Sequence, residues 1–295
     1  MADTADPLLI GGTGRSGTHA LARIVGRHSR FESITFELKL HADPPGLPGL
    51  LAGKVSLDSF LADLRGQWWS RQDGDGKVRG LVLKVVPEDF EAAVESFAAD
   101  FPGDPHAAAG TLLRSLLDPV AAAAGKSTWV ENTNRNVAAG PMLLRMLPDA
   151  RFVHIFRDGR DVAASLVKQS FGPSRLSKAL DWWERRLTKT EAGAAELPPE
   201  RLLTLAFEDL VIEDREGTYR RIVEFLGAGD DPDMRARFDV KTSPAKANIG
   251  RWADGLSGRA ANRLNRRYRE ALERLVALES PGRPLFERAL ALLDG

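Results

Sequence analysis

Leu8-Leu9-Ile10-Gly11-Gly12-Thr13-Gly14-Arg15-Ser16-Gly17-Thr18-His19 runs from an apolar stretch through a glycine-rich turn into an amphipathic segment. Beyond it, Leu21, Ile24, Val25 and His28 fall at i, i+3, i+4 and i+7, the stripe of a helix buried along one side. A short, wholly apolar run ahead of such a helix reads as a strand covered on both faces, as in a parallel sheet. Glycines let the backbone approach a ligand closely, and the first turn of the helix offers unpaired N–H groups to an anion. Arg15, Ser16 and Thr18 add a fixed charge and two hydroxyls. Two known patterns compete for this loop. Gly12-Thr13-Gly14-Arg15-Ser16-Gly17 satisfies the dinucleotide pattern G-x-G-x-x-G, with Glu32 and Glu37 downstream as acidic residues. Gly12 and Gly17 also have P-loop spacing, but Thr18-His19 stand where that loop needs Lys followed by Ser or Thr. The cation here lies inside the loop, at Arg15.

Working outward, four more apolar runs read as buried strands: Leu81–Val86, Thr128–Glu131, Phe152–Phe156 and Leu202–Phe207. Helices are expected over Leu57–Arg71, Glu88–Phe101, Ala107–Ala124, Val137–Met146, Arg160–Gln169, Ser174–Ala195, Glu216–Leu226, Gly258–Leu278 and Pro284–Leu293. Strands alternating with helices predict an α/β fold with a central parallel sheet flanked by helices. The stretches His41–Gly53 and Gln72–Gly80 are rich in Gly with Pro or charge, and read as loops around a helical insertion. With no repeat and no low-complexity linker, residues 1–295 are expected to form one domain. Segments 41–80 and 103–127 are its candidate specificity insertions.

A second strand-turn-helix unit repeats the logic of the first: Arg151-Phe152-Val153-His154-Ile155-Phe156-Arg157-Asp158-Gly159-Arg160-Asp161, followed by Ser165. Arg157 would emerge at the carboxyl end of its strand, where open α/β sheets bind ligands. Its planar, permanent charge suits a phosphate. Two such units in one sheet suggest a ligand with separated anionic groups.

The chain has 295 residues, 43% of them hydrophobic, and balances 41 Lys and Arg against 41 Asp and Glu. Zero formal charge argues against a broad nucleic-acid or anionic-membrane surface, though not against one basic pocket. The absence of Cys excludes disulfides, thiolate metal sites and a Cys nucleophile. Met1–Pro7 is polar and acidic, unlike a secretory signal, and no apolar run reaches membrane-spanning length, so a cytoplasmic location is expected. His, Asp and Glu show no metal-ligand spacing. Trp68-Trp69 and Trp182-Trp183 are candidates for an aromatic acceptor cleft.

Taken in order, these motifs resemble the sulfotransferase superfamily whose donor is 3′-phosphoadenosine 5′-phosphosulfate. Gly14-Arg15-Ser16-Gly17-Thr18 is similar to its 5′-phosphosulfate loop, in the Arg-containing version of bacterial and tyrosylprotein branches. Arg157-Asp158-Gly159-Arg160-Asp161 with Ser165 resembles its 3′-phosphate element. Phe207-Glu208-Asp209-Leu210-Val211 and Ile222-Val223-Glu224-Phe225-Leu226-Gly227 resemble its strand-helix segment, and Gly250-Arg251-Trp252 its late donor-closing loop. The resemblance implies a P-loop-like fold in which Gly14, Arg15, Ser16, Gly17, Thr18 and His19 hold the 5′-phosphosulfate. It places Arg157 and Ser165 on the 3′-phosphate, Gly250 and Arg251 over the phosphates, and Trp252 at the adenine. The implied reaction is in-line sulfuryl transfer to a hydroxyl or amine of a small molecule, sugar or peptide. No metal ion, nucleic acid or membrane is implied, and 3′,5′-adenosine bisphosphate (PAP) is the other product. Arg15 would stabilise the charge growing on the leaving phosphate. Glu37, 22 positions beyond Arg15, would be the general base, with Glu32 and His41 as alternatives. Where many relatives carry Glu-Lys-Thr-Pro, this chain has Glu131-Asn132-Thr133-Asn134, which leaves one cationic contribution unassigned, with Lys39, Lys84 and Arg135 as candidates. The segment is still expected to line the site, because Glu131 ends a strand. The competing readings are an NAD(P)-dependent oxidoreductase and a non-catalytic nucleotide-binding protein.

Overall fold

The structure, a computed structural model, describes residues 6–34, 36–72, 74, 76–244 and 247–294; the acidic opening Met1–Ala5 lies outside them. Its strands are β1 (Leu8–Gly12), β2 (Phe31–Ser33), β3 (Arg71–Gln72), β4 (Val78–Arg79), β5 (Thr128–Glu131), β6 (Arg151–Phe156) and β7 (Leu202–Ala206). Helices in the first half are α1 (Thr18–Val25), α2 (Leu47–Leu51), α3 (Leu57–Asp63), α4 (Pro87–Asp100), α5 (Pro105–Ala123) and α6 (Gly140–Met146). The second half adds α7 (Gly159–Leu166), α8 (Leu176–Ala195), α9 (Arg215–Leu226), α10 (Pro232–Lys241), α11 (Gly258–Val276) and α12 (Arg283–Asp294).

Five strands form one parallel sheet in the order β2-β5-β1-β6-β7, and β3 and β4 form a separate antiparallel pair. Alternation along β1 sends Leu9 to one face and Leu8 and Ile10 to the other. In β6, Phe152 joins the first layer, while Val153 and Ile155 join the second. Helices cover both faces, which is why the strands are apolar throughout rather than alternating with polar residues. Because β5 and β6 flank β1, the loops leaving the carboxyl ends of β1, β5 and β6 converge on one crevice.

Leu81–Val86 was expected as a strand and is not one. Leu81–Leu83 is a 3₁₀ turn in which only Leu81 points inward; Val82, Leu83 and Val86 are exposed. Gly80 enters that turn at φ +113 against the Trp68 and Trp69 carbonyls, so the backbone bends away from extended geometry. The short β2 takes the sheet position instead, pairing with β5 through Phe31, Glu32 and Ser33. The expected 57–71 helix breaks after Asp63 into a π-turn with a non-helical Gly66, and the 160–169 helix stops at Leu166. Segment 103–127 is mostly α5, a helix with Leu112, Leu113, Leu116 and Leu117 in the core beneath the sheet. Among the described residues no helix is long and apolar enough to cross a membrane.

Gly110 offers a clean test of this packing. A Cβ there would lie 2.0 Å from the Met146 carbonyl oxygen, where α5 crosses the end of α6. Helix propensity alone favours Ala over Gly by about 1 kcal/mol. Gly110→Ala is nevertheless expected to destabilise the protein by about 2 kcal/mol through overpacking. Thermal unfolding should show the midpoint falling by several degrees; an unchanged or raised midpoint would contradict the close crossing.

Candidate active site

After β1 the chain enters a run of left-handed backbone, with φ +85 at Gly14, +61 at Arg15 and +103 at Gly17. Gly17 also lies so close to the Phe207 ring that a Cβ would stand 2.5 Å from it. No backbone N–H from Gly14 to Ala20 finds an acceptor among the described residues. Three of these belong to the first turn of α1, which no side chain caps. The loop is therefore a nest of free donors at a helix N-terminus, the arrangement that binds an oxyanion.

Both anion elements read from the sequence meet here directly. Arg15 Nε donates to Ser165 Oγ at 2.9 Å, and the Arg15 carbonyl accepts from Arg157 Nη1 at 3.0 Å. Arg157 Nη2 donates to the carbonyls of Ala247 and Asn248 at 3.2 and 3.0 Å. The guanidinium lies 4.5 Å from the Phe207 ring centroid, and its buried Nε has no acceptor. Burial pulls the Arg157 pKa down, with Asp161 and Glu208 opposing. Glu208 receives the Asp158 N–H at 3.0 Å and is raised to about 7 by burial.

A cavity of about 880 Å³ opens from this loop and is lined by Gly14, Arg15, Gly17, Thr18, His19, Glu37 and Arg157. Burial, then the nearby Arg23, holds the His19 pKa below its ordinary value. Ser16 does not line the cavity: it is fully buried, with its hydroxyl against Gly12. Ser165 joins through its bond to Arg15. Gly250 and Trp252 sit at the start of α7, their N–H groups donating to Asp161 at 2.8 and 3.1 Å. The Arg160 guanidinium lies 4.5 Å from the Trp252 ring centroid and 4.6 Å from that of Tyr268, and Arg251 is exposed.

Of the three candidate bases, only Glu37 faces the cavity. Its Oε1 accepts from Asn134 Nδ2 at 2.9 Å, and its Oε2 lies 3.4 Å from Lys39 Nζ. Burial raises the Glu37 pKa, and the Lys39 charge partly offsets that rise. Glu32 is instead paired with Lys84 at 2.8 Å and Lys126 at 3.4 Å. This leaves Glu32 unsuited to the ribose contact that the dinucleotide reading required. His41 is buried, bonded to Asn136 at 2.7 Å and 3.2 Å from Glu131. Among the cations considered for the missing Lys, Lys39 and Arg135 line the cavity and Lys84 does not.

Glu131, at the end of β5, is fully buried. It accepts from the N–H groups of Leu38 and Thr133, from Thr133 Oγ1 and from Asn136 Nδ2, at 2.7–2.9 Å. Burial alone would raise its pKa, but His41 and these donors outweigh it and bring the value down to about 2.

The model of the sulfotransferase family matches residues 7–232 of the sequence. The chain belongs to the sulfotransferase family. No curated protein matches it. The sulfotransferase domain of the Synechococcus PCC 7002 olefin synthase shares its fold, at a TM-score of 0.52 and 16% identity, covering 88% of this chain and 92% of that one. Sulfotransferase STF1 from Mycobacterium tuberculosis aligns at 0.48 and 18%, over 90% of this chain and 76% of its own. Mouse sulfotransferase SULT7A1, solved with PAP, aligns at 0.48 and 11%, over 96% and 88%.

The sulfotransferase crevice also contains Thr133 and Asn134, from the Glu131–Asn134 segment that was expected to line it, and further residues that no motif singled out. Asn134 touches both the loop and the candidate base, accepting from Thr18 Oγ1 at 3.4 Å while donating to Glu37. Its place just beyond β5 was the available signal, since strand ends carry ligands in such sheets. Asp43, Arg79 and Arg186 reach the cavity from outside every motif, and no residue of 103–127 does. Trp182 lines it, whereas Trp183 is packed in the core.

Because the folded-state pKa of Glu131 lies below its ordinary 4.5, its contribution to stability is fully present above that value. It is lost as pH falls from about 4.5 through about 2. In acid titrations of unfolding free energy, Glu131→Gln should flatten that part of the profile while lowering stability at neutral pH. A profile parallel to the native one would refute the paired carboxylate.

Proposed function

We propose that this sulfotransferase moves the sulfuryl group of 3′-phosphoadenosine 5′-phosphosulfate to a hydroxyl or amine of an acceptor, with Glu37 as general base. One observation carries the reading: the free N–H groups of the loop and the Glu37 carboxylate open into the same cavity. The donor fits what is present. The loop from Gly14 to His19 would hold its 5′-phosphosulfate, where the N–H groups lack acceptors. Arg157 and Ser165 would hold its 3′-phosphate, and the unpartnered Arg157 Nε supplies a donor for it. Gly250, Arg251 and Trp252 are not among the residues lining the cavity; in this reading they would close over the phosphates, with Trp252 toward the adenine.

When bound, the donor supplies a sulfuryl group whose leaving phosphate gains negative charge as the S–O bond breaks. Arg15 and the loop N–H groups would face that charge, so little reorganisation would accompany it. Glu37 accepts the acceptor's proton as its oxygen or nitrogen bonds to sulfur. Asn134 holds one carboxylate oxygen, and Lys39 sits beside the other. Arg15 acts electrostatically, because a guanidinium remains protonated.

Arg15→Ala and Arg157→Ala should each abolish the thermal shift that PAP gives the native protein, about 2.7 kcal/mol at a hundred times its dissociation constant. Glu37→Gln should keep that shift while turnover falls by roughly 10²–10⁴. Full turnover in Glu37→Gln would reject the base.

Acidity supplies an independent check. The acidic limb of kcat/KM reports the Glu37 pKa, which burial raises above its ordinary value. Lys39→Met removes the charge opposing that rise, so the limb should move to higher pH. Movement to lower pH would show that another group governs it.

A further inference from the structure

A smaller pocket of about 220 Å³ adjoins the main cavity and shares Asn134, Arg135, Trp182 and Arg186 with it. Its wall is one face of α8, where Trp182, Arg185, Arg186 and Lys189 recur at i, i+3, i+4 and i+7. Arg135 faces them from the segment after β5. Four cations thus line the annex and no carboxylate does, in a chain whose formal charge is zero.

A basic helix face is ordinarily neutralised by acids one turn away. On α8 those acids are engaged elsewhere: Asp181 pairs with Arg267, and Glu184 with Arg274 at 2.6 Å, both toward α11. Among the described residues Arg185, Arg186 and Lys189 have no carboxylate within 4.0 Å. Arg186 lies 4.4 Å from the Trp182 ring centroid, which fixes its plane. The one carboxylate paired with Arg135 among the described residues is Asp43, 3.7 Å from its buried Nε and too far to accept a hydrogen bond from it. Burial, then the Arg135 charge, pulls the Arg186 pKa down, and the more distant Asp43 and Glu37 carboxylates only partly oppose that.

We propose that the annex binds an anionic group of the acceptor, so that the acceptor class is a hydroxyl- or amine-bearing small molecule that also carries a carboxylate or phosphate. This rests on the donor occupying the Arg15 and Arg157 end of the cavity. The donor's own anions have the loop N–H groups, Arg15 and Arg157 to meet them. The annex cations are on α8 and beside Asn134, which contacts Glu37. An acceptor anchored there by its anion would keep its nucleophile on the Glu37 side.

The test is calorimetric titration of PAP-saturated protein with two matched pairs of probes. Phenyl phosphate is compared with phenol, and 4-hydroxyphenylacetate with 4-ethylphenol. PAP saturation blocks the loop, so the charged probes report on the annex. At least one charged member is expected to bind about tenfold tighter than its neutral partner, a difference of about 1.4 kcal/mol. That advantage should fall below about threefold in Arg186→Gln and in the exposed-site variant Arg185→Gln. PAP affinity should stay unchanged in both. Equal affinity within both pairs, or an advantage that survives in both variants, overturns the proposal. Loss of PAP affinity in Arg186→Gln assigns the annex to the donor and overturns it as well. If native protein fails to bind PAP, the donor reading fails instead; the same titration without PAP then still decides whether the annex prefers anions.

Discussion

A carboxylate removed from water holds the crevice together. Isolating a charged Glu131 beneath the sheet edge would cost several kcal/mol, so the group is tolerable only with its lone pairs filled. The groups that fill them belong to separate parts of the crevice. Leu38 N–H comes from the segment carrying Glu37 and Lys39; Thr133 and Asn136 come from the segment carrying Asn134 and Arg135. Asn136 Nδ2 also approaches the Ile10 carbonyl at 3.1 Å, which ties β1 to the same cluster. The positions of the candidate base and its Asn134 partner are therefore consequences of one buried charge rather than of the loops that contain them.

A comparable economy operates on the other side of β1. Parallel strands place all their carboxyl ends on one edge, so Arg15 and Arg157 meet although 142 residues separate them. Arg157 is held by three carbonyls and an aromatic face before any ligand arrives. Held this way, it loses little conformational freedom on meeting a phosphate, which is the thermodynamic advantage of preorganisation.

Features encoded within a few neighbouring residues were legible in the sequence. The loop, β1, β6, Arg157 and Ser165 could be placed because a strand-turn-helix unit is local and its glycines constrain the backbone directly. The β2 strand escaped because three residues, Phe31, Glu32 and Ser33, are too few to show alternation. Conversely, Leu81–Val86 had the composition of a strand but lacked a neighbour to pair with, and tertiary context overrode propensity. Trp182 and Trp183 show the limit most sharply: successive helix positions differ by about 100° in direction, so one faces the cavity and the other the core. Arg186 had no readable signal, since its importance depends on where the acids of α8 point.

The backbone at Arg15 carries a consequence for anyone reshaping this protein. A side-chain-bearing residue at φ +61 costs on the order of 1 kcal/mol that glycine would not incur. Directed evolution toward heat resistance alone therefore pulls position 15 toward Gly, with the gain taken from the residue that joins the loop to Ser165. Libraries selected for ruggedness need a counter-selection on nucleotide retention, or the most durable descendants will be the ones that have stopped gripping anything.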